Sequence, residues 1–488
     1  MILRLLLGFT LALAAGLTAP AATPRPTNFV FFLIDDWGWT DAASFGSRLY
    51  ETPHIDRLAA QGMKFTQAYS ACTVCSPTRA AVMTGKYPAR LHITDYIPGH
   101  RRPYAKLKIP DWTLHLPLVE RTIAEELKDR GYTTGIFGKW HLGDEAFYPE
   151  KQGFDVNFGG CAMGAPRSYF PPYGIPNITD EKPGEFLTDR LTREALRFIE
   201  SNQDRPFYVY FPHYAVHTPL AGKPEVVAKY QQKLAAGTYT QTNPVYAALV
   251  ESVDDSVGAV MQRLAELKLD QNTVIILTGD NGGLSGTRNA EGWRPGPTRN
   301  DPLRLGKGSA YEGGVRVPLV VKWPGVTAAG SSSPTPVISV DYFPTLLEIA
   351  DQAQGAAAAP RPAADGESIT ALLRGADRLK RDTLYWHYPH YHPGSATPYS
   401  AVREGDWKLI HFFEDNHSEL YNLAADIGEK TDLAAANPGK ASALRAKLDA
   451  WRTSVDAQLP TANPAHDPAR EWDAERPAGK AAGKGKKR

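Results

Sequence analysis

Cysteine is scarce in this chain: 3 of its 488 residues are cysteines, at positions 72, 75 and 161. So few thiols exclude the disulfide-built scaffold that many small secreted domains use. A single bridge between Cys72 and Cys161 stays open, because sequence alone does not give the distance between two Cα atoms. Cys75 is set apart by its neighbours, since it begins the run Cys75-Ser76-Pro77-Thr78-Arg79.

Net charge is also nearly absent, since 54 Lys and Arg balance 53 Asp and Glu to leave +1. A chain without a global field has no long-range attraction for nucleic acid or for an anionic membrane. We therefore expect neither as a partner. Any preference for an anionic substrate must come from the local placement of Lys and Arg side chains.

Long apolar runs are missing after the N-terminus. Residues 5–17 form an apolar stretch behind Arg4 that is too short to span a bilayer, and Ala19-Pro20-Ala21 offers a small-residue cleavage site. These features predict a signal peptide over residues 1–21 and export to the periplasm or the outside. No later run of about twenty apolar residues indicates a membrane anchor, and no cysteine near the cleavage site indicates lipidation.

What the chain does contain is an alternation of apolar, β-rich runs with helical segments. The runs lack the polar alternation of a half-exposed strand, which favours strands buried on both faces of a largely parallel sheet. The predicted strands cover residues 28–34, 133–137, 206–211 and 273–277, and the predicted helices cover residues 118–130, 187–201 and 245–269. This is the doubly wound α/β pattern, in which ligands bind beyond the carboxyl ends of the strands.

The composition changes near residue 354. Residues 354–365 are rich in Ala, Pro and Gly, as in a linker or surface loop. After them come short antiparallel strands joined by tight turns, over residues 399–403, 407–413 and 418–421, and a closing helix over residues 438–455. We predict a catalytic domain over residues 22–380, a C-terminal sheet-and-helix subdomain over 381–460 and a disordered basic tail over 461–488.

The run that begins at Cys75 predicts a capped helix. Ser76 is a good N-cap, Pro77 is a good first helical residue, and Gly85 can end the helix. Residue 75 would then lie just off a helix N-terminus, where free N–H groups and the helix dipole favour an anion. By itself the run also fits a structural cysteine before an ordinary helix.

The same run resembles the nucleophile signature of the type I sulfatases, in which Cys is oxidised to formylglycine, an aldehyde. Thr78 stands where Ser is commoner in that family, and it keeps the hydroxyl. Other motifs of that family occur along the chain in the same order as in the family. They are Asp35-Asp36, residues 138–143 (GKWHLG), His217-Thr218-Pro219, residues 278–283 (TGDNGG), residues 306–308 (GKG) and residues 311–318 (YEGGVRVP).

Residues 28–460 therefore resemble a sulfatase of the alkaline phosphatase superfamily. In the detail of its sequence, this region resembles the secreted bacterial arylsulfatase-like carbohydrate sulfatases. The resemblance implies an α/β fold with a large mixed, mostly parallel sheet flanked by helices. It also implies a smaller C-terminal antiparallel sheet plus helix. The enzyme class that it implies is a sulfuric ester hydrolase.

The resemblance also implies a metal site. The implied ligands of one divalent cation are Asp35, Asp36, Asp280 and Asn281, together with the modified residue 75. Oxygen donors without thiolate or imidazole suit Ca²⁺ or Mg²⁺ rather than Zn²⁺, and Ca²⁺ is preferred because Mg²⁺ demands stricter geometry. In isolation, Asp280-Asn281-Gly282 is more typical of a turn, and the acid pair after the first predicted strand favours the metal site instead.

The implied nucleophile is a hydrated formylglycine at position 75, a geminal diol. Asp280 would help to take its proton, Arg79 would orient it, and Lys139 and Lys307 would hold the sulfate group. His217 would protonate the leaving oxygen, with Lys307 close by. His141 would deprotonate the second hydroxyl, so that sulfate is expelled and the aldehyde returns.

The substrate implied by the resemblance is a sulfated carbohydrate, with galactose or N-acetylgalactosamine sulfate favoured. Residues 100–102, 167–170, 293–294 and 387–392 are candidates for binding sugar hydroxyls or charges. A formylglycine-generating enzyme is the implied partner during maturation, and the oligomeric state is open. The alternatives are a phosphodiesterase or phosphonate monoester hydrolase on the same fold, or a non-catalytic carbohydrate-binding relic.

Overall fold

The computed structural model describes residues 27–179, 182–353 and 362–474. The predicted signal peptide, residues 354–361 of the predicted linker and residues 475–488 of the predicted tail lie outside the described residues. Within them, the strands along the chain are β1 (Asn28–Ile34), β2 (Met63–Tyr69), β3 (Leu107–Lys108), β4 (Thr133–Phe137), β5 (Val156–Phe158), β6 (Phe207–Pro212), β7 (Thr273–Gly279), β8 (Gly286–Asn289), β9 (Gly292–Pro295), β10 (Arg316–Lys322), β11 (Ser331–Ser333), β12 (Val337–Ile338), β13 (Thr383–Tyr388), β14 (Tyr399–Glu404), β15 (Trp407–Phe412), β16 (Ser418–Asn422) and β17 (Thr461–Ala462).

The helices separate and cover these strands. They are α1 (Pro53–Gln61), α2 (Cys75–Thr84), α3 (Pro88–Leu91), α4 (Ile123–Asp129), α5 (Leu187–Ser201), α6 (Pro224–Ala236), α7 (Pro244–Glu266), α8 (Glu312–Val315), α9 (Tyr342–Ala353), α10 (Thr370–Leu373) and α11 (Pro438–Ser454). Short 3₁₀ helices cover Ala43–Phe45, Glu145–Phe147, Pro149–Lys151 and Ser339–Asp341. No helix among the described residues is long and apolar enough to cross a membrane.

One large mixed sheet organises the chain. Its strand order is β11-β2-β10-β7-β1-β6-β4-β5, and β12 also pairs with β2. The pairs from β7 through β1, β6 and β4 to β5 are parallel, whereas β10 runs antiparallel to both β2 and β7. The predicted α/β fold with a mostly parallel sheet is therefore confirmed.

Both faces of the central strands are buried, as their unbroken apolar sequences predict. Along β1, Val30 and Phe32 join a core formed with α1, α5 and α7, whereas Phe29, Phe31 and Leu33 join the core on the opposite face. That second core is formed mainly with α2, α4 and α9. Alternate side chains of one apolar strand therefore anchor helices on both sides of the sheet.

The C-terminal part forms a separate antiparallel sheet of order β13-β14-β15-β16. Its apolar side chains share one buried cluster with Leu444, Leu448 and Trp451 of α11. The same cluster reaches Tyr69 and Ala81 of the larger part of the chain. The smaller sheet is therefore packed against α2 and the end of β2, close to the segment that carries Cys75.

Some element boundaries differ from their predictions. The helix predicted over residues 118–130 is confined to α4, because Thr122 caps it in a reciprocal pair of hydrogen bonds with Glu125. Helix α2 begins at Cys75 and has Val74 as its N-cap, so the prediction that Ser76 caps the helix is wrong. The Ser76 hydroxyl instead donates to the carbonyl of His141, at 2.9 Å.

Residues 461–474, predicted as the first part of a disordered tail, form defined contacts with the rest of the chain. Strand β17 pairs with β3, and the Asn463 side chain donates to the carbonyls of Pro103 (2.9 Å) and Ala105 (2.7 Å). The composition of this segment did not predict these contacts, because its partners are mainly backbone groups of residues 103–108.

The buried ion pairs of Lys408 give a stability prediction. Lys408 is fully buried, and its Nζ lies 3.0 Å from Glu312 Oε1 and 2.9 Å from Glu429 Oε1. Lys408→Met leaves Glu429 without its cationic partner and Glu312 with only its longer pair to Arg316 (3.4 Å), so we expect a loss of about 3 kcal/mol in stability. The measurement is the thermal unfolding midpoint, with Lys440→Met as the control. The partly exposed pair of Lys440 with Glu404 (3.3 Å) should contribute less than about 1 kcal/mol. Equal midpoints for the two variants would contradict the assignment.

Candidate active site

The carboxyl ends of the parallel strands bring distant motifs together. Asp35 and Asp36 follow β1, and Asp280 follows β7. The backbone ladder continues past the strand ends, since the Asp280 N–H donates to the Ile34 carbonyl at 3.1 Å. In the same way the Lys139 N–H, after β4, donates to the carbonyl of the last residue of β6, at 2.7 Å. The motifs therefore meet at one sheet edge, where doubly wound folds bind their ligands.

Cys75 reaches this edge as the first residue of α2 and is 3 % exposed. Its loop is tied to the loop that carries Lys307. The Gly308 N–H donates to the Thr73 carbonyl (3.0 Å), and Thr73 Oγ1 donates to the Ser309 carbonyl (2.8 Å). The start of α2 and the Lys307 loop are thus positioned together.

Arg79 links the carboxylates beneath Cys75. Its Nη2 and Nε lie 2.7 Å and 3.1 Å from Asp280 Oδ2, and Nη2 lies 3.6 Å from Asp35 Oδ1. Its Nη1 donates to the Lys139 carbonyl at 3.0 Å, and Lys139 Nζ lies 2.7 Å from Asp35 Oδ2. All four side chains are fully buried. Their charges therefore interact strongly and are not screened by solvent.

Asp36 forms the second half of the cluster. Lys307 Nζ lies 2.6 Å from its Oδ1, which also accepts from the Asn281 amide at 2.9 Å. His217 Nε2 lies 3.6 Å from Asp36 Oδ2. Asp36 also connects to the first half, because its backbone N–H donates to Asp280 Oδ1 at 3.1 Å.

The pKa values of the three carboxyl groups diverge. Burial raises the pKa of Asp35 well above its usual range despite the charge of Lys139. Burial acts in the same sense on Asp36, but Lys307 and His217 outweigh it and lower the pKa. For Asp280 burial is likewise outweighed, by Arg79 and Lys139, and the pKa is lowered. The negative charge at Asp35 is therefore the least compensated of the three.

The donor set suits a divalent cation. Asp35 Oδ1 and Asn281 Oδ1 are buried without a hydrogen-bond partner. Oxygen atoms of Asp35 and Asp36 and a ring nitrogen of His217 lie within 4.8 Å of one another. Buried polar atoms rarely lack partners, and carboxylate and amide oxygens are the ligands of hard cations. The predicted residues Asp35, Asp36, Asp280 and Asn281 are thus brought together in a form that fits the ion.

His141 is oriented toward residue 75. Its Nε2 contacts the Ile97 carbonyl, which can only accept, so the proton lies on Nε2. The unprotonated Nδ1 then lies 3.4 Å from Cys75 Sγ. Burial and the charge of Lys139 hold the pKa of His141 well below its usual range. His141 is therefore neutral and presents a proton acceptor to the side chain at position 75.

A cavity of about 420 Å³ opens above these residues. Of the predicted site residues, Asp36, Cys75, His141, His217 and Lys307 line it. The others, Asp35, Arg79, Lys139, Asp280 and Asn281, lie behind that wall and are fully buried. Lys139, which was expected to touch the sulfate group, contacts Asp35 instead.

Backbone conformation explains part of the motifs. Asp36 and His141 have left-handed backbone, with φ of 58° and 59°, which is uncommon outside glycine and concentrates at functional sites. Gly308 has φ of +74°, and a Cβ there would lie 1.7 Å from the His392 ring. A Cβ on Gly282 would lie 1.8 Å from the Gly313 carbonyl oxygen. The glycines of these motifs allow the loops around the cavity to touch.

Several residues of the cavity wall were not predicted from the sequence. The wall also contains Tyr96, Ile97, Pro98, Gly164, Ala165, Leu284, Thr287 and Pro393. They lie outside the sequence motifs, so only their spatial proximity identifies them. Of the predicted sugar-binding residues, His392 lines this cavity, whereas His387 is buried in hydrogen bonds with Ser400 and Gln458.

Comparison with known proteins decides the family. The family model described as Sulfatase matches residues 27–352, and one described as N-sulphoglucosamine sulphohydrolase, C-terminal, matches residues 305–453. This chain belongs to the sulfatase family. Its membership of the alkaline phosphatase superfamily, expected from the motifs, is thereby confirmed.

Similar sulfatases cover most of the chain. A "Sulfatase" of Formosa agariphila is 34 % identical over 90 % of this chain and 91 % of its own length. The N-acetylgalactosamine-6-sulfatase of Homo sapiens is 32 % identical over 91 % of this chain and 88 % of its own. Among solved structures, Ps i-CgsB in complex with k-i-k-neocarrahexaose is 29 % identical, with a TM-score of 0.71 over 92 % of this chain and 97 % of that chain.

This sulfatase is accordingly an enzyme of the sulfatase type, as predicted, and the alternative of a non-catalytic relic is not supported. Sulfatases generally use formylglycine and a divalent cation. The cysteines at positions 72, 75 and 161 are free, so the open alternative of a bridge between Cys72 and Cys161 is excluded.

The three thiols of this sulfatase should differ in reactivity when the chain is produced without formylglycine maturation. Burial raises the pKa of Cys72 and of Cys161, so few thiolates form there, whereas Cys75 lines an open cavity. Iodoacetamide should therefore label Cys75 first in the folded protein, as followed by peptide mass spectrometry. Labelling in urea should reach all three. Equal rates at Cys75 and Cys161 in the folded protein would contradict the placement.

Proposed function

We propose that this sulfatase removes sulfate from a sulfated carbohydrate by means of a formylglycine at position 75 and one divalent cation. The observation that carries the proposal is the shared cavity wall, on which residue 75 lies beside His141, His217 and Lys307, with the carboxylate cluster directly beneath. We further propose that the enzyme is exported, that residues 22–380 form its catalytic domain and that a formylglycine-generating enzyme matures it.

Substrate binding rests on the positive charges of the wall. Lys307 is cationic, since Asp36 and the other nearby acidic groups raise its pKa although burial opposes this. The sulfate group would contact Lys307 and the N-terminus of α2, where free N–H groups favour an anion. Lys139 lies behind the cavity wall and pairs with Asp35, so it affects the substrate only through its charge. It keeps the buried carboxylates from repelling the substrate.

The chemistry of the reaction requires a nucleophile at residue 75. When present, the hydrated aldehyde would supply the attacking oxygen, and the cation would make that oxygen more acidic. Asp280 and Arg79 lie beneath residue 75 as a paired acceptor and donor, 2.7 Å apart. His141 Nδ1 is positioned to take a proton from residue 75 after sulfate transfer, since it is unprotonated and 3.4 Å from Sγ.

His217 is the proposed acid for the leaving oxygen. Its Nδ1–H donates to the Thr218 carbonyl at 2.6 Å, so Nε2 faces Asp36 and the cavity. Burial and Lys307 lower its pKa to about 3, so Nε2 is unprotonated before an anion binds. The negative charge of a bound sulfate would favour the proton. Lys307, on the same wall, is the competing donor.

The proposed sugar is galactose sulfate or N-acetylgalactosamine sulfate. The support is the similarity to an N-acetylgalactosamine-6-sulfatase and to Ps i-CgsB, whose structure contains neocarrahexaose. The test is sulfate release by matured enzyme from a panel of sulfated mono- and oligosaccharides, with Cys75→Ala as the matched control. We expect release from at least one sulfated sugar and none from Cys75→Ala. Hydrolysis of phosphate diesters with no sulfate release would contradict the proposal.

Metal removal should inactivate the enzyme, and Ca²⁺ should restore activity better than Zn²⁺ because the donors are mainly oxygen atoms. A readout independent of turnover is the thermal midpoint. Saturating Ca²⁺, about a hundred times Kd, should stabilise chelated enzyme by about 2.7 kcal/mol.

This calcium effect should disappear in Asp35→Asn. It should persist in Asp341→Asn, a buried carboxylate that pairs with Arg381 instead of the cluster. Full activity after exhaustive chelation, with no metal by elemental analysis, would remove the ion from the account.

Loss of His217 should depend on the leaving group. A sugar hydroxyl needs a proton as it leaves, whereas a nitrophenolate leaves readily without one. His217→Ala should therefore lower kcat on a sugar sulfate by about 10²–10⁴-fold, with a clearly smaller loss on nitrophenyl sulfate.

The matched control is His213→Ala. His213 is buried and its ring bonds to Ser256 Oγ at 2.9 Å, so its loss should show no such dependence. Equal losses of kcat on both substrates for His217→Ala would contradict its role as the acid. If Lys307→Met then showed the larger loss on the sugar sulfate, Lys307 would be the acid.

A further inference from the structure

A second cavity of about 230 Å³ lies next to the catalytic one. We name it the Arg102 pocket, and it is lined chiefly by Arg102, Lys106, Arg288, Tyr391, His392 and Trp472. His392 lines both cavities. On β8, Thr287 lines the catalytic cavity and the next residue, Arg288, lines the Arg102 pocket. The two spaces are therefore neighbours, separated by one side-chain layer.

The Arg102 pocket has a fixed wall formed by the ordered tail. Besides the β17 pairing, the Asp467 N–H donates to the Tyr104 carbonyl at 3.1 Å, and the Arg470 guanidinium lies 3.5 Å from the centre of the Tyr104 ring. Glu471 and Trp472 come next in the sequence, and both line the pocket. The Arg102 guanidinium lies 4.0 Å from the centre of the Trp472 ring, and that of Arg288 lies 5.9 Å from it. Two guanidinium groups therefore lie near the Trp472 ring at the pocket.

These cations have two acidic neighbours at the pocket, Glu414 and Glu471, but no direct ion pair with either of them. Within the described ranges, Arg102, Lys106 and Arg288 form no ion pair and no side-chain hydrogen bond. Of the pocket's carboxylates, Glu414 already accepts from the Tyr391 hydroxyl, at 2.6 Å. Burial lowers the pKa of Arg102 even though Tyr391, Glu471 and Glu414 oppose the shift, so its charge is only partly compensated. A guanidinium held in this way favours an anion with planar or forked oxygens.

We propose that the Arg102 pocket binds a second anionic sugar, one carrying a carboxylate or a sulfate, next to the sugar that is desulfated. This inference rests on the proposed function, and it adds that the substrate is an oligosaccharide with charge on adjacent sugars. Arg102 and Arg288 bind the anionic group, and Lys106 adds charge. Tyr391 and the carboxylates at the pocket offer polar contacts to the ring hydroxyls.

The test measures binding without turnover, in a Cys75→Ala background. The anionic probe is a chondroitin 6-sulfate tetrasaccharide and the neutral probe is N-acetylchitotetraose, both titrated by calorimetry at low salt. Arg288→Ala and Arg102→Gln should each raise Kd for the anionic probe about 10-fold or more, the effect of losing one charge-assisted hydrogen bond. Arg102→Lys should recover part of the affinity. The control is Arg299→Ala, because Arg299 is exposed, pairs with Asp301 at 2.7 Å and lines neither cavity.

The outcomes separate this inference from the proposed function. Arg288 is exposed, so its loss should leave the thermal midpoint unchanged. With Cys75 intact, both variants should lose more kcat/KM on an anionic tetrasaccharide than on nitrophenyl sulfate, because the latter substrate has no second sugar. No measurable binding of the anionic probe, or an unchanged Kd in both variants, overturns the inference even if nitrophenyl sulfate is hydrolysed. The opposite result is also informative. If the anionic probe binds in an arginine-dependent way but the matured parent has no sulfatase activity, the proposed function is wrong and the assignment of the Arg102 pocket is retained.

Discussion

The buried charge cluster at the strand ends is the constraint on which the rest of the site depends. Three carboxylates, of Asp35, Asp36 and Asp280, face three cations, of Arg79, Lys139 and Lys307, almost without solvent. Buried ions are costly unless each is paired, and their mutual attraction repays that cost only in good geometry. The pairing is complete for Asp36 and Asp280 but incomplete for Asp35, whose Oδ1 has no hydrogen-bond partner. A divalent cation at this point would give Asp35 Oδ1 the partner that it lacks.

The geometry of this cluster is maintained by parts of the chain far from it. The backbone of the Lys307 loop is held by Thr73 on one side, and the Arg304 side chain beside it donates to the Glu429 carbonyl at 2.9 Å. Glu429 belongs to the C-terminal part, and its side chain accepts from the Glu312 N–H at 2.6 Å. Arg304 also donates to the hydroxyl of Tyr421 on β16, at 3.1 Å, so the smaller sheet supports the loop that supplies Lys307. This gives a physical reason for a C-terminal sheet in an enzyme whose proposed chemistry occurs at the end of the larger one.

The sequence predicted the fold and the site to different degrees. Strand β1 could be predicted because a short, unbroken, β-rich apolar run ending in Asp35-Asp36 suits a strand buried on both faces. The meeting of Asp35 with Asp280 followed from the rule on parallel strand ends. The burial of Lys139 behind Asp35 did not follow, since a motif fixes neighbours in sequence and not the direction of a side chain. Trp472 was missed because its polar surroundings resemble a disordered tail, and only the pairing of β17 with β3 brings it to the pocket.

The central claim is that residue 75 acts as a formylglycine above the charge cluster. The most direct measurement is the mass of the peptide that spans residue 75, taken from preparations of different specific activity. The account predicts that activity rises in proportion to the fraction of peptide about 18 Da lighter than the cysteine form. Sulfatase activity in a preparation that contains only the cysteine form would contradict it.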